Sequence, residues 1–370
     1  MNSRHSRHPS IDRAASFAER LGLRVPVMLA PMAGACPPSL SIAVCEAGGL
    51  GACGALLMSP EEIQRWAGDV RAQTGGPFQM NIWVPDPEPP RDAEQESRLR
   101  QFLHPWQLAM EECAPHAGRG EGRAAVVLNF DEQCEAMLAT EPAAISSIMG
   151  LFPEAMVADM KRRGIVWMAT ATTVAEAVTA VHAGADVIVA QGMEAGGHRG
   201  SFVAAEAEQS LVGLMSLLPA IVDEVDVPVV ATGGIADARG AAAALLLGAS
   251  AVQLGTGFLR TTESSISPAW AQAIARTRPE DTVATRSFTG RLGRAVRNRY
   301  LESAMGADAP SPAPFPVQSR LTQGMRQAAT RADNIDAMQA WAGQSARLSR
   351  AVPAAQIVDE LWQGMQTLLG

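Results

Sequence analysis

Asp186-Val187-Ile188-Val189-Ala190-Gln191-Gly192-Met193-Glu194-Ala195-Gly196-Gly197-His198-Arg199-Gly200 is the stretch on which the reading of this chain turns. Its first five residues are an apolar, β-branched run, the pattern of a strand buried on both faces of a parallel sheet. The remainder is a glycine-rich turn carrying one histidine, one glutamate and one arginine. Glycine lets a backbone approach a flat ligand closely. Histidine is the side chain whose ordinary pKa lies near neutrality, so it can move a proton at working pH. A turn this polar on the end of a buried strand reads as a functional site, because sites of parallel α/β folds gather at strand carboxyl ends.

Outward from that turn the pattern repeats. Strand-like runs are expected over Val25–Ala30, Leu50–Gly54, Phe78–Val84, Ala143–Ile148, Ile165–Thr170, Asp186–Ala190, Val227–Thr232 and Ala251–Gly255. Helical stretches are expected over Ser39–Ala47, Pro60–Gln73, Pro153–Arg163, Val174–Ala183, Ala204–Val225 and Ala236–Leu247. Eight strands in one α/β series favour a closed (β/α)8 TIM barrel over an open doubly wound sheet. Ala124–Phe130 is a ninth apolar run, read as a loop or short extension.

The division that follows is an N-terminal arm over 1–23, a barrel over 24–260, a helical cap over the carboxyl face at 261–350, and a C-terminal helix over 351–370 that packs on the barrel. Pro85–Arg123 is too long for an ordinary βα loop and reads as an excursion over the rim. Leu321–Arg347 is expected to be helical.

Composition narrows the function. Of the 370 residues, 47 % are hydrophobic and 18 % charged, which is globular rather than disordered. The net charge of -8, without a long basic run, argues against nucleic acid and anionic membrane as partners. No stretch reaches the ~18 apolar residues of a membrane span. The polar start lacks the apolar core of a secretory signal, so a cytoplasmic protein is expected. Five cysteines without metal-ligand spacing read as small core residues, and no metal is expected. The single lysine, Lys161, precedes a strand and so lies at the wrong barrel end for Schiff-base chemistry.

Four further segments surround the histidine turn. Val229-Val230-Ala231-Thr232-Gly233-Gly234-Ile235-Ala236-Asp237 and Ala251-Val252-Gln253-Leu254-Gly255-Thr256-Gly257 each end a strand in a glycine corner. They follow the seventh and eighth strands, where barrels hold a phosphate on backbone N–H groups. Asp237 is placed to cap the next helix. Met28-Leu29-Ala30-Pro31-Met32 sets backbone and a thioether beside the mouth. Gln79-Met80-Asn81-Ile82-Trp83-Val84 points Gln79 and Asn81 to one side of a strand, and buried amides require partners. Together these fit FMN better than a sugar phosphate. The phosphate would lie at Gly234 and Gly255–Thr256, with Asn81, Gln191 and Gln253 facing the polar edge of the isoalloxazine or the ribityl chain and His198 on the substrate side. Glu194 could either orient His198 or hold backbone N–H groups. Arg291 and Arg294 could steer an anionic substrate. His182 reads as a helix-end residue favoured by the dipole.

Ala-Pro-Met near the start, Met-Asn-Ile-Trp-Val, Gln-Gly-x-Glu-Ala-Gly-Gly-His-Arg-Gly, Ala-Thr-Gly-Gly-Ile-Ala-Asp and Gln-x-Gly-Thr together resemble the nitronate monooxygenases, formerly called 2-nitropropane dioxygenases. The likeness spans roughly residues 24–300. It implies a TIM barrel holding FMN and the oxidation of alkyl nitronates by O2 to carbonyl compounds and nitrite. It places FMN contacts on Asn81, Gln191, Gly196, Gly234, Gln253, Leu254, Gly255 and Thr256, and Ala30, Pro31, Met32, Gly197 and Gly233 complete the expected cofactor set. It makes His198 the base for neutral nitroalkanes. Ser146 falls in the segment Ser146-Ser147-Ile148-Met149-Gly150, where the best-studied class carries a second histidine that this chain lacks. Ser146 and Arg291 are the substrate-side candidates. The alternative is an NAD(P)H-dependent enoyl-acyl-carrier or quinone reductase on the same barrel. The expected partners are a small-molecule substrate and O2, on a monomer or a dimer.

Overall fold

The structure is a computed structural model and describes residues 8–113 and 128–370. Eleven strands occur among the described residues: β1 Val27–Leu29, β2 Gly51–Gly54, β3 Phe78–Trp83, β4 Ala144–Ile148, β5 Val166–Ala171, β6 Val187–Gln191, β7 Gly197–His198, β8 Val229–Thr232, β9 Ala251–Leu254, β10 Thr282–Thr285 and β11 Gly293–Val296. The α-helices, in chain order, are α1 Pro9–Arg20, α2 Pro38–Glu46, α3 Pro60–Arg71, α4 Ala93–Cys113, α5 Phe130–Ala139, α6 Glu154–Arg162, α7 Val174–His182, α8 Leu214–Val222, α9 Ala238–Leu246, α10 Pro268–Arg276, α11 Arg299–Ala304, α12 Val317–Arg331 and α13 Ala354–Leu369.

β1 to β6, β8 and β9 form one parallel sheet in the order β1-β9-β8-β6-β5-β4-β3-β2. Its edges meet: Met28 bridges Leu50, and the backbone of Val27 and Leu29 bonds to Leu50. The sheet is therefore the expected eight-stranded barrel. Side chains alternate along each strand. On β3, Phe78, Met80 and Ile82 join the apolar layer shared with the outer helices, while Gln79 and Asn81 turn inward. The alternation leaves polar residues inside the carboxyl half of the barrel.

The amino half is filled and closed by apolar residues. Phe17, Ala18, Leu21 and Leu23, on and just after α1, pack under Met28, Leu50, Met168, Val187, Val189 and Val230. The N-terminal arm is thus the plug of the barrel floor. Pro and Ser set several helix starts; Ser59 and Glu62 make a capping box on α3, and Asp237 caps α9 as its sequence suggested. Lys161 pairs with Asp186 on the floor side, 3.0 Å away, far from any strand carboxyl end. His182 lies in the last turn of α7.

Three expectations change and two gain detail. Ala204–Val225 is not one helix: a short 3-10 turn over Ala204–Glu206 is followed by α8, which starts only after Gly213. The ninth apolar run contributes Asn129, which caps α5, and Phe130, which begins it; Ala124–Val127 lie outside the described residues. The 85–123 excursion contains α4, which packs against α12 above the rim. The cap is not wholly helical: β10 and β11 form an antiparallel pair to which β7 adds a third strand. Within Leu321–Arg347, α12 ends at Arg331, and the chain that follows holds two 3-10 turns, Ile335–Ala337 and Ala346–Leu348. The last helix, α13, packs on α9, α2 and β1 and completes the outer ring.

All five cysteines are free thiols, with Cys113 the exposed one. Among the described residues no helix is long and apolar enough to cross a membrane, and no cluster of acidic, His or Cys side chains is built to hold a metal.

Candidate active site

The histidine turn is fixed from two sides. Gln191, the last residue of β6, donates its amide N–H to the His198 carbonyl at 3.0 Å and accepts from the Gly200 N–H at 2.8 Å. Both ends of this amide therefore hold the turn. On the other side, β7 pairs with β11, placing His198 opposite Gly293, and the Arg199 N–H donates to the Leu292 carbonyl. The cap hairpin is thus stitched to the functional turn. Arg199 is buried and donates to the carbonyls of Gln191, Thr172 and Ser210. Gly196 is needed here for space: a Cβ on it would lie 2.4 Å from the Gly343 nitrogen.

Glu194 does not touch His198. Its carboxylate accepts from the Leu214 N–H at the start of α8, at 2.9 and 3.1 Å. An acidic group there meets an unpaired helix-start donor and the positive end of the helix dipole. Of the two roles the sequence left open, the structure selects the second.

His198 sits in an aromatic wall. Its ring meets Trp83, the last residue of β3, edge-on at 4.5 Å between centroids, and Trp341 at 4.8 Å. Phe315 stands behind Trp83 and Phe288 behind Trp341. The imidazole Nε2 lies 2.8 Å from the Thr289 hydroxyl. Loss of hydration in this wall, with the positive charges of Arg291 and Arg326, pushes the His198 pKa down to about 3. The ring is therefore neutral at pH 7.

Neither arginine is a free surface cation. Arg291, 1 % exposed, donates to the Asp86 carboxylate through Nε and a terminal nitrogen, and to the Ser201 carbonyl. Arg294 is likewise buried and bonds to the Met193 carbonyl and the Thr282 hydroxyl. Arg326 bonds to Thr322, Ser319 and Gln339 and pairs with no carboxylate among the described residues. Burial lowers its pKa to about 10, so it stays charged.

The inner wall carries amides. Gln79 donates to the Leu29 carbonyl and to Gln253 Oε1, each at 3.1 Å, while its own Oε1 is buried without a partner. Asn81 donates to both oxygens of Ser146. Asn81 Oδ1 accepts no hydrogen bond among the described residues. At the late corners, the amides of Gly233, Gly234, Gly255 and Thr256 donate to no acceptor among the described residues. Gly233 and Gly234 adopt φ of +104° and +71°, conformations that favour glycine. Segment 341–345 of the cap lies over both corners: the Gly343 N–H donates to Thr256 Oγ1 at 3.0 Å, and Ser345 bonds to the Gly234 carbonyl. Ala30, Pro31 and Met32 are half-buried at the end of β1, with Met32 sulfur against Gly255. Leu254, by contrast, packs in the outer apolar layer.

Trp341, Thr289, Phe315 and Arg326 escaped the sequence reading as site residues, and Trp83 was noted only within its motif. Trp83 alone carried a signal, as an aromatic at a barrel-strand end; the others come from the cap: Trp341 by a bridge to Ala295, Thr289 from the hairpin loop, Phe315 from the chain before α12 and Arg326 from α12.

A neutral histidine at the carboxyl rim of a closed eight-stranded barrel places the chain among the (β/α)8-barrel enzymes, whose chemistry is done at that end. The nitronate monooxygenase family model matches residues 16–364, and the chain belongs to that family of oxidoreductases. A probable nitronate monooxygenase of Staphylococcus haemolyticus is 34% identical over 95% of this chain and 97% of its own length. The counterpart in Staphylococcus aureus strain MSSA476 is also 34% identical, over 93% of this chain and 95% of its own. Among solved structures, a nitroalkane oxidase from Streptomyces ansochromogenes superposes with a TM-score of 0.83 and 35% identity, covering 94% of this chain and 98% of that one. FabK from Thermotoga maritima gives a TM-score of 0.73 at 26% identity, covering 96% of both chains.

Proposed function

We propose that the protein binds FMN across the carboxyl rim and oxidises alkyl nitronates with O2 to carbonyl compounds and nitrite, and that it takes neutral nitroalkanes through proton removal at His198. The four unpaired amides at Gly233, Gly234, Gly255 and Thr256 are the observation that carries the reading. Unpaired N–H groups at the ends of two neighbouring barrel strands suit a phosphate dianion. The orphaned Gln79 Oε1 and the free Asn81 Oδ1 are acceptors suited to the N–H and hydroxyl edge of a ribityl-flavin. FMN, when bound, accepts electrons from the substrate and passes them to O2.

The chain's own residues do the rest. Arg326, bonded only to neutral groups, adds positive potential near His198, which favours an anionic nitronate over its neutral acid. Trp83, Trp341 and Phe315 exclude water and offer an apolar wall to an alkyl chain. His198, neutral and unprotonated, is ready to accept a proton from a nitroalkane carbon. The similarity to the nitroalkane oxidase supports this choice of substrates.

The test is anaerobic mixing of the purified yellow protein with ethyl nitronate, nitroethane, NADH and NADPH, followed by admission of air. Bleaching by the nitro compounds, with nitrite released, is the expected result. Bleaching by NADPH and not by nitronate would instead assign the reductase that the FabK likeness allows. A colourless protein that takes up no FMN would overturn the cofactor assignment.

A further inference from the structure

We propose that Thr289 sets the tautomer of His198, keeping the proton on Nε2 and leaving Nδ1 as the proton acceptor at the barrel mouth. The proposal deepens the reading of His198 as a base and names the residue that positions it.

Thr289 is 4 % exposed, and its hydroxyl has one proton to give. Two groups compete for it: His198 Nε2 at 2.8 Å and the Arg291 carbonyl at 3.2 Å. The carbonyl is an acceptor only, and no other donor reaches it among the described residues. If the hydroxyl turned toward the imidazole, this buried carbonyl would lose its partner, a state that native interiors avoid. If it donates to the carbonyl, its lone pairs accept the Nε2 proton and every group in the chain is satisfied. The relay Nε2–H to Thr289 Oγ1–H to Arg291 C=O follows.

A neutral imidazole protonated on Nε2 carries its lone pair on Nδ1. Nδ1 makes no hydrogen bond among the described residues. Its lone pair is therefore uncommitted. Trp83 and Trp341 each meet the ring edge-on, and turning it to exchange the two nitrogens would break both contacts. Arg291, whose carbonyl ends the relay, is pinned by Asp86 and Ser201, so the acceptor does not drift. In the step this serves, the substrate carbon–hydrogen bond breaks, its electron pair moves into the nitro group, and the proton joins Nδ1. The resulting imidazolium keeps its Nε2–H bond to Thr289.

The test is nitrogen-15 NMR of the holoprotein labelled at histidine, with His198→Asn identifying the His198 signals. The expected pattern at pH 7 is a protonated Nε2 and a bare Nδ1. Thr289→Val is expected to lose that preference and to lower kcat/KM for nitroethane at least about tenfold more than for ethyl nitronate. Thr289→Ser, which keeps the hydroxyl, is expected to restore the Nε2–H pattern. A proton on Nδ1 in the unaltered protein, or a tautomer unmoved by Thr289→Val, would overturn the proposal. The tautomer is read without turnover, so its failure is separate from any failure of the nitronate assignment.

Discussion

Asp86, on the chain leaving β3, holds Arg291 of the cap hairpin loop in a two-point ion pair, and Arg291 in turn holds the Ser201 carbonyl beyond the histidine turn. One guanidinium thereby ties the rim excursion, the cap and the functional turn together. The pair also fixes the carbonyl on which the Thr289 hydroxyl rests.

Breaking this pair has a predictable cost. Asp86→Asn leaves the Arg291 charge buried without a carboxylate. Fully buried pairs lose about 3–5 kcal/mol when one partner goes. Asp86 keeps 21% side-chain exposure, so a smaller loss, on the order of 2 kcal/mol, is expected here. Urea unfolding of the variant reads this directly. Combining Asp86→Asn with Arg291→Met removes the stranded charge and is expected to recover part of the loss.

The acid behaviour of His198 follows from its depressed pKa. An unfolded chain binds a proton on this imidazole below about pH 6.5, whereas the folded one resists until about pH 3. Within that window the unfolded state holds more protons, so stability falls as pH falls, by up to ~1.4 kcal/mol per pH unit. His198→Phe is expected to flatten this part of the stability profile. In kinetics, kcat/KM for nitroethane should show no limb near pH 6.5, because the base is already free.

Arg326 is the second source of that depression. It is charged and partnered only by neutral groups, so its field at His198 is not cancelled locally. Arg326→Met removes a positive charge and should raise the His198 pKa, bringing an acid limb into the measurable range. The same change should raise KM for ethyl nitronate by several-fold while affecting neutral nitroethane less. An equal effect on both substrates would mean that Arg326 acts through packing.

Much of this was written in the chain, and the boundary between what was and was not is physical. Strand signals such as Val187–Ala190 and Val229–Thr232 are long enough to be read, because burial on both faces forces continuous apolar runs. The glycine corners are legible because Gly233 and Gly234 need backbone angles that other residues avoid. Ala204–Val225 misled because its apolar residues suit one long helix, whereas the Glu194 carboxylate and Gly213 start α8 at Leu214. β7 has only two residues, too few for any alternation, so its pairing with β11 was silent. Trp341 and Thr289 reach His198 only through that pairing, and no local pattern announces it.

Gln79 provides a test of the cofactor edge that separates binding from folding. Its buried Oε1 lacks a partner, and its N–H groups bond to Leu29 and Gln253. In the flavin-free protein, Gln79→Met removes an unsatisfied acceptor along with two modest bonds, each worth about 1 kcal/mol net, so stability should change little. With flavin bound, the acceptor has a partner, and its loss should weaken binding by roughly tenfold. Flavin fluorescence released on ultrafiltration measures the affinity. Unchanged retention in the variant would remove Gln79 from the cofactor contacts.

Gly196 tests whether the cap and the functional turn must touch. A Cβ at this position would fall 2.4 Å from the Gly343 nitrogen and 2.5 Å from the Ala342 carbonyl carbon, both backbone atoms with no rotamer to escape into. Gly196→Ala must therefore push the 341–345 segment outward, at about 1–3 kcal/mol for an overpacked site. That segment carries Trp341 against the imidazole and the Gly343 N–H on Thr256. The expected result is a folded barrel with slackened chemistry: a lower kcat for nitroethane, a changed near-ultraviolet tryptophan signal, and faster flavin loss. The unaltered tryptophan signal in a stable Gly196→Ala protein would mean that the cap yields elsewhere and that Trp341 is not held by this contact.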